Sequence, residues 1–183
     1  MPRSTPILDE RQTLRALRRM AGEVVEKAGE AQDLILVGIR TRGVPIAEAF
    51  ASQIEEIEGT RPPIGLLDIT LYRDDLSTIG PQPKVRETRL PVSVDGRVVV
   101  LCDDVLFTGR TIRAALDALN DYGRPKSVKL AVLVDRGHRE LPIQADVVGR
   151  VIETSADQEV RVHLEATDGE TFVELLDAER AGG

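Results

Sequence analysis

The stretch VVVLCDDVLFTGRT, residues 98–111, sets two adjacent carboxylates at the end of an apolar run and follows them with a short, hydroxyl-rich turn. An apolar run of this kind reads as a strand buried on both faces, as in a parallel sheet. The segment that follows, GRTIRAALDALNDYG, has helical spacing with Ile112, Ala115, Leu116 and Leu119 inward, closed by Gly123 with Pro125 beyond. Asp103 and Asp104 then fall as the strand ends, and open parallel sheets bind ligands at the carboxyl ends of their strands. The turn opens a helix, whose free N–H groups and dipole favour an anion. Gly109 lets the backbone come close, and Thr108 and Thr111 add hydroxyl donors. A phosphate monoester suits that cradle, although no G-x-x-x-x-G-K-[ST] loop occurs in the chain. Two carboxylates beside a phosphate repel it unless something lies between. A ribose whose hydroxyls donate to the acids fills that place, so a ribose 5-phosphate is expected. A solvated or structural acid pair is the alternative for Asp103 and Asp104 taken alone.

Outward from this stretch, apolar runs alternate with helical patterns. A helix is expected from Asp9, with Gln12 completing a capping box, to Gly29; it buries Leu14, Leu17, Ala21, Val24, Val25 and Ala28. Residues 33–39 read as a buried strand, and 44–59 as a helix with Pro45 in its first turn and Gly59 past its end. Residues 64–72, 98–102 and 128–134 read as three further strands. The tail segments 147–152, 159–165 and 171–176 look like short antiparallel strands at an edge. Strands interleaved with helices imply an α/β fold, a mostly parallel sheet flanked by helices. Residues 73–97 break the pattern with 25 residues, three prolines and mixed charge. Loops this long in compact domains serve as lids or carry no role, and composition does not choose between them.

The chain has 183 residues, of which 42% are hydrophobic and 30% charged, with a formal net charge of −7. One domain spanning residues 1–183 is expected. The acidic balance excludes general attraction to nucleic acid, so any such site has to be a local basic patch. The single cysteine, Cys102, forms no intrachain disulfide and reads as a small buried hydrophobe. The two histidines are too far apart in sequence to suggest a zinc site. With no signal-peptide pattern and no apolar run long enough to span a bilayer, a cytoplasmic location is expected.

The order of apolar strand, acid pair and T-G-R-T resembles the phosphoribosyl-pyrophosphate (PRPP) signature of the type I phosphoribosyltransferases. LDITLYRDDL, CDDVLFTGRT and LAVLVDRGHRELPI together look like the PyrR family, pyrimidine-operon attenuation regulators that are also uracil phosphoribosyltransferases. The similarity runs from ILDE at Ile7 through the tail. It implies the type I phosphoribosyltransferase fold with a small hood (135–160) and a long lid loop (73–97). It further implies transfer from PRPP to uracil, giving UMP and pyrophosphate, with Mg²⁺ carried by substrate oxygens rather than a dedicated protein cage. On that resemblance Asp103, Asp104, Val105, Leu106, Phe107, Thr108, Gly109, Arg110 and Thr111 hold the ribose 5-phosphate. Arg40, Thr41, Arg42, Gly43 and Arg73 face the pyrophosphate, with Arg42 joining the acid pair in catalysis. Lys84, Arg86 and Arg89 belong to the lid, and backbone groups around Val134, Asp135, Arg136, Gly137, His138 and Ile152 read the uracil edge. The tail departs from the family pattern G-K-N-[VI]-P-T-S, reading GRVIETS with Val151 and Glu153 at the Asn and Pro positions.

A second function comes with the family. Arg11, Arg15 and Arg18, with Arg19 adjacent, form a basic stripe on the first helix. Such a stripe is either a solvated face or a contact for pyrimidine-operon leader mRNA, and the resemblance favours RNA. No RNP, KH or zinc-knuckle pattern is present, so a folded loop read by charge and hydrogen bonding is the expected target. The same resemblance implies a homodimer or homotetramer, and UMP as product.

Overall fold

In the computed structural model, residues 2–75 and 85–178 are described. Five parallel strands form the main sheet in the order β3-β2-β4-β5-β6: β2 (Leu34–Ile39), β3 (Ile64–Leu67), β4 (Val98–Leu106), β5 (Ser127–Asp135) and β6 (Val147–Val151). Helices α1 (Glu10–Ala28) and α2 (Gly43–Glu58) cover one face, and α3 (Arg110–Asn120) the other. The strands alternate between the two layers. Leu34, Leu36, Val100 and Cys102 pack with α1 and α2, whereas Ile35, Val37, Val99 and Leu101 pack with α3. That two-sided burial is why these strands read as continuous apolar runs.

The first helix begins as its sequence dictates. Asp9 is the N-cap, its side chain accepts from the Gln12 amide at 2.8 Å, and Gln12 returns the bond to the Asp9 amide at 2.9 Å. The helix closes at Gly29. One inward position was misassigned: Leu14 is 51% exposed, and Thr13 is buried in its stead. Leu14 lies on the flank of the stripe formed by Leu17, Met20, Ala21 and Val24. Thr13 can be buried because its hydroxyl donates to the Asp9 carbonyl at 2.8 Å.

Three strand assignments are also corrected. The segment 64–72 is a strand only to Leu67; Thr70–Tyr72 then turns as a 3-10 helix, with Asp68 accepting from the Thr70 amide and hydroxyl. The strand opened by VVVLC runs on to Leu106, because β5 keeps pairing with it through Leu106↔Asp135 after β2 has stopped at Gly38↔Cys102. In the tail, β6 is an edge strand but runs parallel to β5. A second, antiparallel sheet in the order β1-β8-β7 joins the two ends of the chain: β1 (Ser4–Leu8), β7 (Glu159–His163) and β8 (Phe172–Leu176). Between the last two lies the short helix α4 (Glu165–Asp168). Residues 4–8 carried no strand signal in the sequence. Val160, Val162, Leu164 and Val173 fasten this sheet to the core beneath α1 and α2.

Candidate active site

The strand order turns over between β2 and β4: β2 is followed by its left neighbour and β4 by its right. A crevice opens at the carboxyl end of such a pair. Two loops meet there. From Gly38 the chain bends into α2 so closely over β4 that a Cβ on Gly43 would lie 2.2 Å from the Cys102 carbonyl oxygen. Only glycine fits, and the contact sets Arg40, Thr41 and Arg42 directly against the acid pair. The Arg40–Thr41 peptide is cis. The resulting cleft, about 310 Å³, is lined by Arg40, Thr41, Arg42, Asp68, Thr70, Arg73, Asp103, Asp104 and Thr111, among others.

Asp103 is 7% exposed, and its carboxylate accepts from the Asp104 amide at 2.9 Å; Asp104 in turn accepts from the Val105 amide at 2.8 Å. Burial, the neighbouring Asp104 charge and a hydrogen bond to Asp104 push the Asp103 carboxyl well above the ordinary carboxylate range. Two adjacent carboxyl groups in an open cleft are suited to receiving hydroxyl groups. Cys102, one residue earlier, is fully buried, and burial likewise pushes its thiol up. It is the inert small hydrophobe expected.

The adjoining end of the cleft, about 320 Å³, is lined by Arg73, Asp74, Asp75, Phe107, Thr108, Arg110 and Thr111. Gly109 takes the left-handed conformation (φ 91°) as the N-cap of α3 and has no side chain to cap it; the Thr108 hydroxyl accepts from the Arg110 amide at 3.3 Å. Arg110 is not idle: it pairs with Asp74 at 2.7 Å and with Glu140 at 3.5 Å.

The expected pyrophosphate and lid residues divide. Arg40 donates to the Glu87 carbonyl at 2.8 Å, and Arg86 donates to the Thr41 hydroxyl at 2.8 Å. Arg86 thus joins the loop, whereas Arg89 pairs through its backbone with Leu66 and through its side chain with Glu87, away from the cleft lining. Lys84 lies outside the described residues. Arg73 is at the cleft but bonded to Asp75 at 2.9 and 2.7 Å. The Arg42 guanidinium turns to the second sheet, donating to the Val162 carbonyl at 2.9 Å and to Asp168 at 2.7 Å.

In the segment expected to read the base, Arg136 is 6% exposed, lies 3.9 Å over the Phe107 ring, and donates to the Thr154 hydroxyl at 3.3 Å and the Ser155 carbonyl at 3.0 Å. Burial lowers its pKa. His138 sits at φ 66°, with Nε2 2.6 Å from the Thr154 carbonyl. Several backbone groups expected to read a base are paired within the protein. The Ile152 amide donates to the Asp135 carbonyl, the Gly137 amide to the Asp135 carboxylate, and the Arg136 amide to the Leu106 carbonyl. Val134 is buried in β5.

Four residues were missed. Arg139 bonds the Phe107 and Ile143 carbonyls and the Asp135 carboxylate, tying the phosphate turn to the base loop. Asp68 takes hydrogen bonds from Thr70 and the Arg86 amide. Burial raises its carboxyl, but these bonds and the Arg40 charge outweigh burial and hold it below the ordinary range. Asp74 and Asp168 are the others, each the partner of an arginine singled out in the sequence. RGHREL contained Arg139, yet spacing alone does not tell a bracing arginine from a ligand-binding one.

On α1, Arg11, Arg15 and Arg18 are exposed and make no ion pair or hydrogen bond with the described residues. Arg19 differs: it pairs with Glu23 at 2.7 Å and donates to the Val148 and Gly149 carbonyls. A groove between α1 and β6 is lined by Arg15, Arg19 and Arg150, with Leu8, Gln12, Ala16 and Gly149. No helix among the described residues is long and apolar enough to cross a membrane.

Residues 4–166 match the phosphoribosyl transferase domain. The chain is 58% identical over 170 residues to the Bifunctional protein PyrR of Chloroflexus aurantiacus, covering 93% of both, and 54% identical over 178 residues to that of Deinococcus radiodurans, covering 97% of both. Among solved structures it is similar to a hypoxanthine phosphoribosyltransferase from Staphylococcus aureus (TM-score 0.69, 19% identity, 98% of this chain and 94% of that one). A hypoxanthine-guanine phosphoribosyltransferase from Bacillus anthracis gives a TM-score of 0.69 at 16% identity, over 96% of this chain and 99% of that one. These two share the fold; the identity to the PyrR proteins is far higher and spans nearly the whole chain, and the chain belongs to the PyrR family of type I phosphoribosyltransferases.

Proposed function

We propose that this protein transfers the phosphoribosyl group of PRPP to uracil, releasing pyrophosphate and UMP, and that it also binds pyrimidine-operon leader mRNA as an attenuation regulator. The observation that carries the enzymatic reading is the meeting of the acid pair, the start of α3 and the 38–43 loop in one crevice. In the reaction the C1–O bond to pyrophosphate breaks and the C1–N1 bond to uracil forms, while the uracil N1 proton passes to the departing pyrophosphate. Positive charge gathers on the ribose and negative charge on the departing pyrophosphate, as in glycoside hydrolysis.

Asp103 and Asp104 take the ribose 2′- and 3′-hydroxyls. Hydroxyls donated to Asp103 offset part of the cost of its buried charge, which then faces the cationic sugar. Residues 105–111 hold the 5′-phosphate through the α3 amides and the hydroxyls of Thr108 and Thr111. Thr41, Gly43 and the Arg40 and Arg86 charges receive the pyrophosphate. Mg²⁺, when bound with PRPP, neutralises pyrophosphate charge, and the cleft's carboxylates and substrate oxygens suit a hard cation that keeps its waters. Among the described residues no cluster of three or more His, Cys, Asp or Glu could enclose a metal. In this reading the expected 73–97 lid is confined to residues before Arg89, which is bridged to Leu66, while Val94 is buried in the core; residues 76–84 of that segment lie outside the described residues, and 135–160 serve as the base hood within one domain.

The RNA reading rests on the exposed Arg11, Arg15 and Arg18 in an acidic protein, beside the groove that holds Arg150. Arg19, already bonded, serves chiefly to brace β6. In a homodimer or homotetramer, as the family resemblance implies, two stripes would form one wider basic surface. A titration against the protein's own pyrimidine-operon leader RNA, with and without UMP, tests this part. Saturable binding that UMP changes is expected; no binding under either condition leaves a phosphoribosyltransferase alone.

A further inference from the structure

The second sheet meets the catalytic cleft at one side chain. Arg42 is the N-cap of α2, in the loop whose Gly43 lies against β4, and it lines the cleft with Thr41, Asp103 and Asp104. Yet two of its donors are spent on the chain's last quarter: Nε on the Val162 carbonyl of β7 at 2.9 Å, and Nη2 on Asp168 of α4 at 2.7 Å. A planar guanidinium held at two points by different elements has little freedom left.

Asp168 is itself held. Its second carboxylate oxygen accepts from the Leu164 amide at 2.9 Å, and its own amide donates to the Leu164 carbonyl at 2.7 Å, closing the α4 turn. Leu164 is 5% exposed and belongs to the core, so the carboxylate is anchored to a fixed backbone. Burial opposes ionisation of Asp168, but the Leu164 amide and the Arg42 hydrogen bond outweigh it, and the group stays anionic below the usual carboxylate range.

We infer that Asp168 is a positioning residue for the pyrophosphate end of the reaction: through Arg42 it fixes the 40–43 loop at the height where the loop's amides and Thr41 meet the leaving group. This rests on the proposed transfer from PRPP. It changes the role of Arg42, whose guanidinium acts as the tether of the loop rather than as a free cation for phosphate. It also makes the tail, from β7 through α4, part of the apparatus that binds PRPP, although the tail touches no substrate atom in this scheme.

The test is steady-state kinetics on Asp168→Asn and Asp168→Glu beside the unaltered protein, with direct calorimetric binding of magnesium pyrophosphate and a thermal melt for each. Asn keeps the shape and the Leu164 bond but loses the charge-assisted hold on Arg42, which is worth about a tenfold change in binding. The expected result is a KM for PRPP and a Kd for pyrophosphate each raised about tenfold in Asp168→Asn. The KM for uracil should stay within about twofold, and Asp168→Glu should recover part of the loss. An Asp168→Asn protein with unchanged PRPP and pyrophosphate constants overturns the inference. So does one that loses melting temperature, kcat and affinity for both substrates alike, since Asp168 is then only a structural cap. Failure of the unaltered protein to make UMP is a different outcome, and it removes the proposed function itself.

Discussion

The proposed phosphate site and the segment proposed to read the base are built by different means. The phosphate end uses local sequence: a strand, two acids, a glycine turn and a helix start follow one another within residues 98–111, and only the 38–43 loop is brought in from elsewhere. The segment proposed to read the base, and the second sheet, use distance. β1 pairs with β8 across the whole chain, and Arg136 is fixed by Thr154 and Ser155 from the strand-to-strand connection. The similar solved structures share the overall fold at under 20% identity, whereas the PyrR proteins share more than half of their residues. A phosphate cradle needs few side chains because backbone amides do the binding. A base reader depends on which side chains surround it.

The largest effect should come from removing the acid pair's charge. Asp103→Asn or Asp104→Asn should lower kcat by about 10²–10³-fold, the size lost with one preorganised electrostatic contact. Stability should move the other way for Asp103. Its folded-state pKa is raised above the unfolded value, so its contribution favours folding below the unfolded pKa and is lost as pH climbs through the folded one. At neutral pH the Asn variant should therefore melt higher than the unaltered protein, and the gap should narrow toward acid pH. Kinetics and melts from about pH 4 to 8 check both halves; an Asn variant that turns over normally removes the ribose role.

Next in size is Gly43→Ala. Its Cβ would press on the Cys102 carbonyl, so the loop must lift from β4. A PRPP KM raised at least tenfold with the uracil KM little changed is expected from initial-rate kinetics, by the cost of displacing packed backbone. An equal rise in both constants would mean that the two ends of the cleft are not separable.

The converse change is Arg136→Ala at the base end. Losing the stack on Phe107 and the bonds to Thr154 and Ser155 should destabilise the protein by about 2 kcal/mol. The uracil KM should rise and the PRPP KM stay near its original value. Denaturant melts and paired KM measurements report it, and a selective rise in the PRPP KM would contradict this placement.

How much of this was legible follows the same division. The capping box at Asp9, the buried strands and the turn at Gly109 were readable because each is a local pattern with a local cause. The strand through Leu106 was cut short because acidic residues look like a strand end, whereas β5 goes on pairing beyond them. β1 could not be read at all: STPIL has no alternating pattern, and its stability comes from β8, about 170 residues away. The site arginines were found by type, but their partners were not. Arg42 reads as facing pyrophosphate and Arg110 as part of the ribose 5-phosphate turn, whereas in space Asp168 and Asp74 lie opposite them.

The smallest expected effect on catalysis belongs to the α1 stripe. Arg15→Ala with Arg18→Ala should leave UMP formation unchanged while weakening leader RNA binding and lowering its log-log salt slope by about one per lost phosphate contact. Unchanged affinity and slope would leave the stripe a solvated helix face.

The account's central claim is that a shared phosphate cradle is joined here to a base end specific for uracil. Offering the protein uracil, orotate, adenine and hypoxanthine with PRPP and Mg²⁺, each alone and in competition, tests it most directly. The account predicts UMP as the dominant product, with hypoxanthine a poor acceptor despite the similarity of the fold. Preferred transfer to hypoxanthine, or to any base other than uracil, would contradict the assignment of the base end while leaving the phosphate end standing.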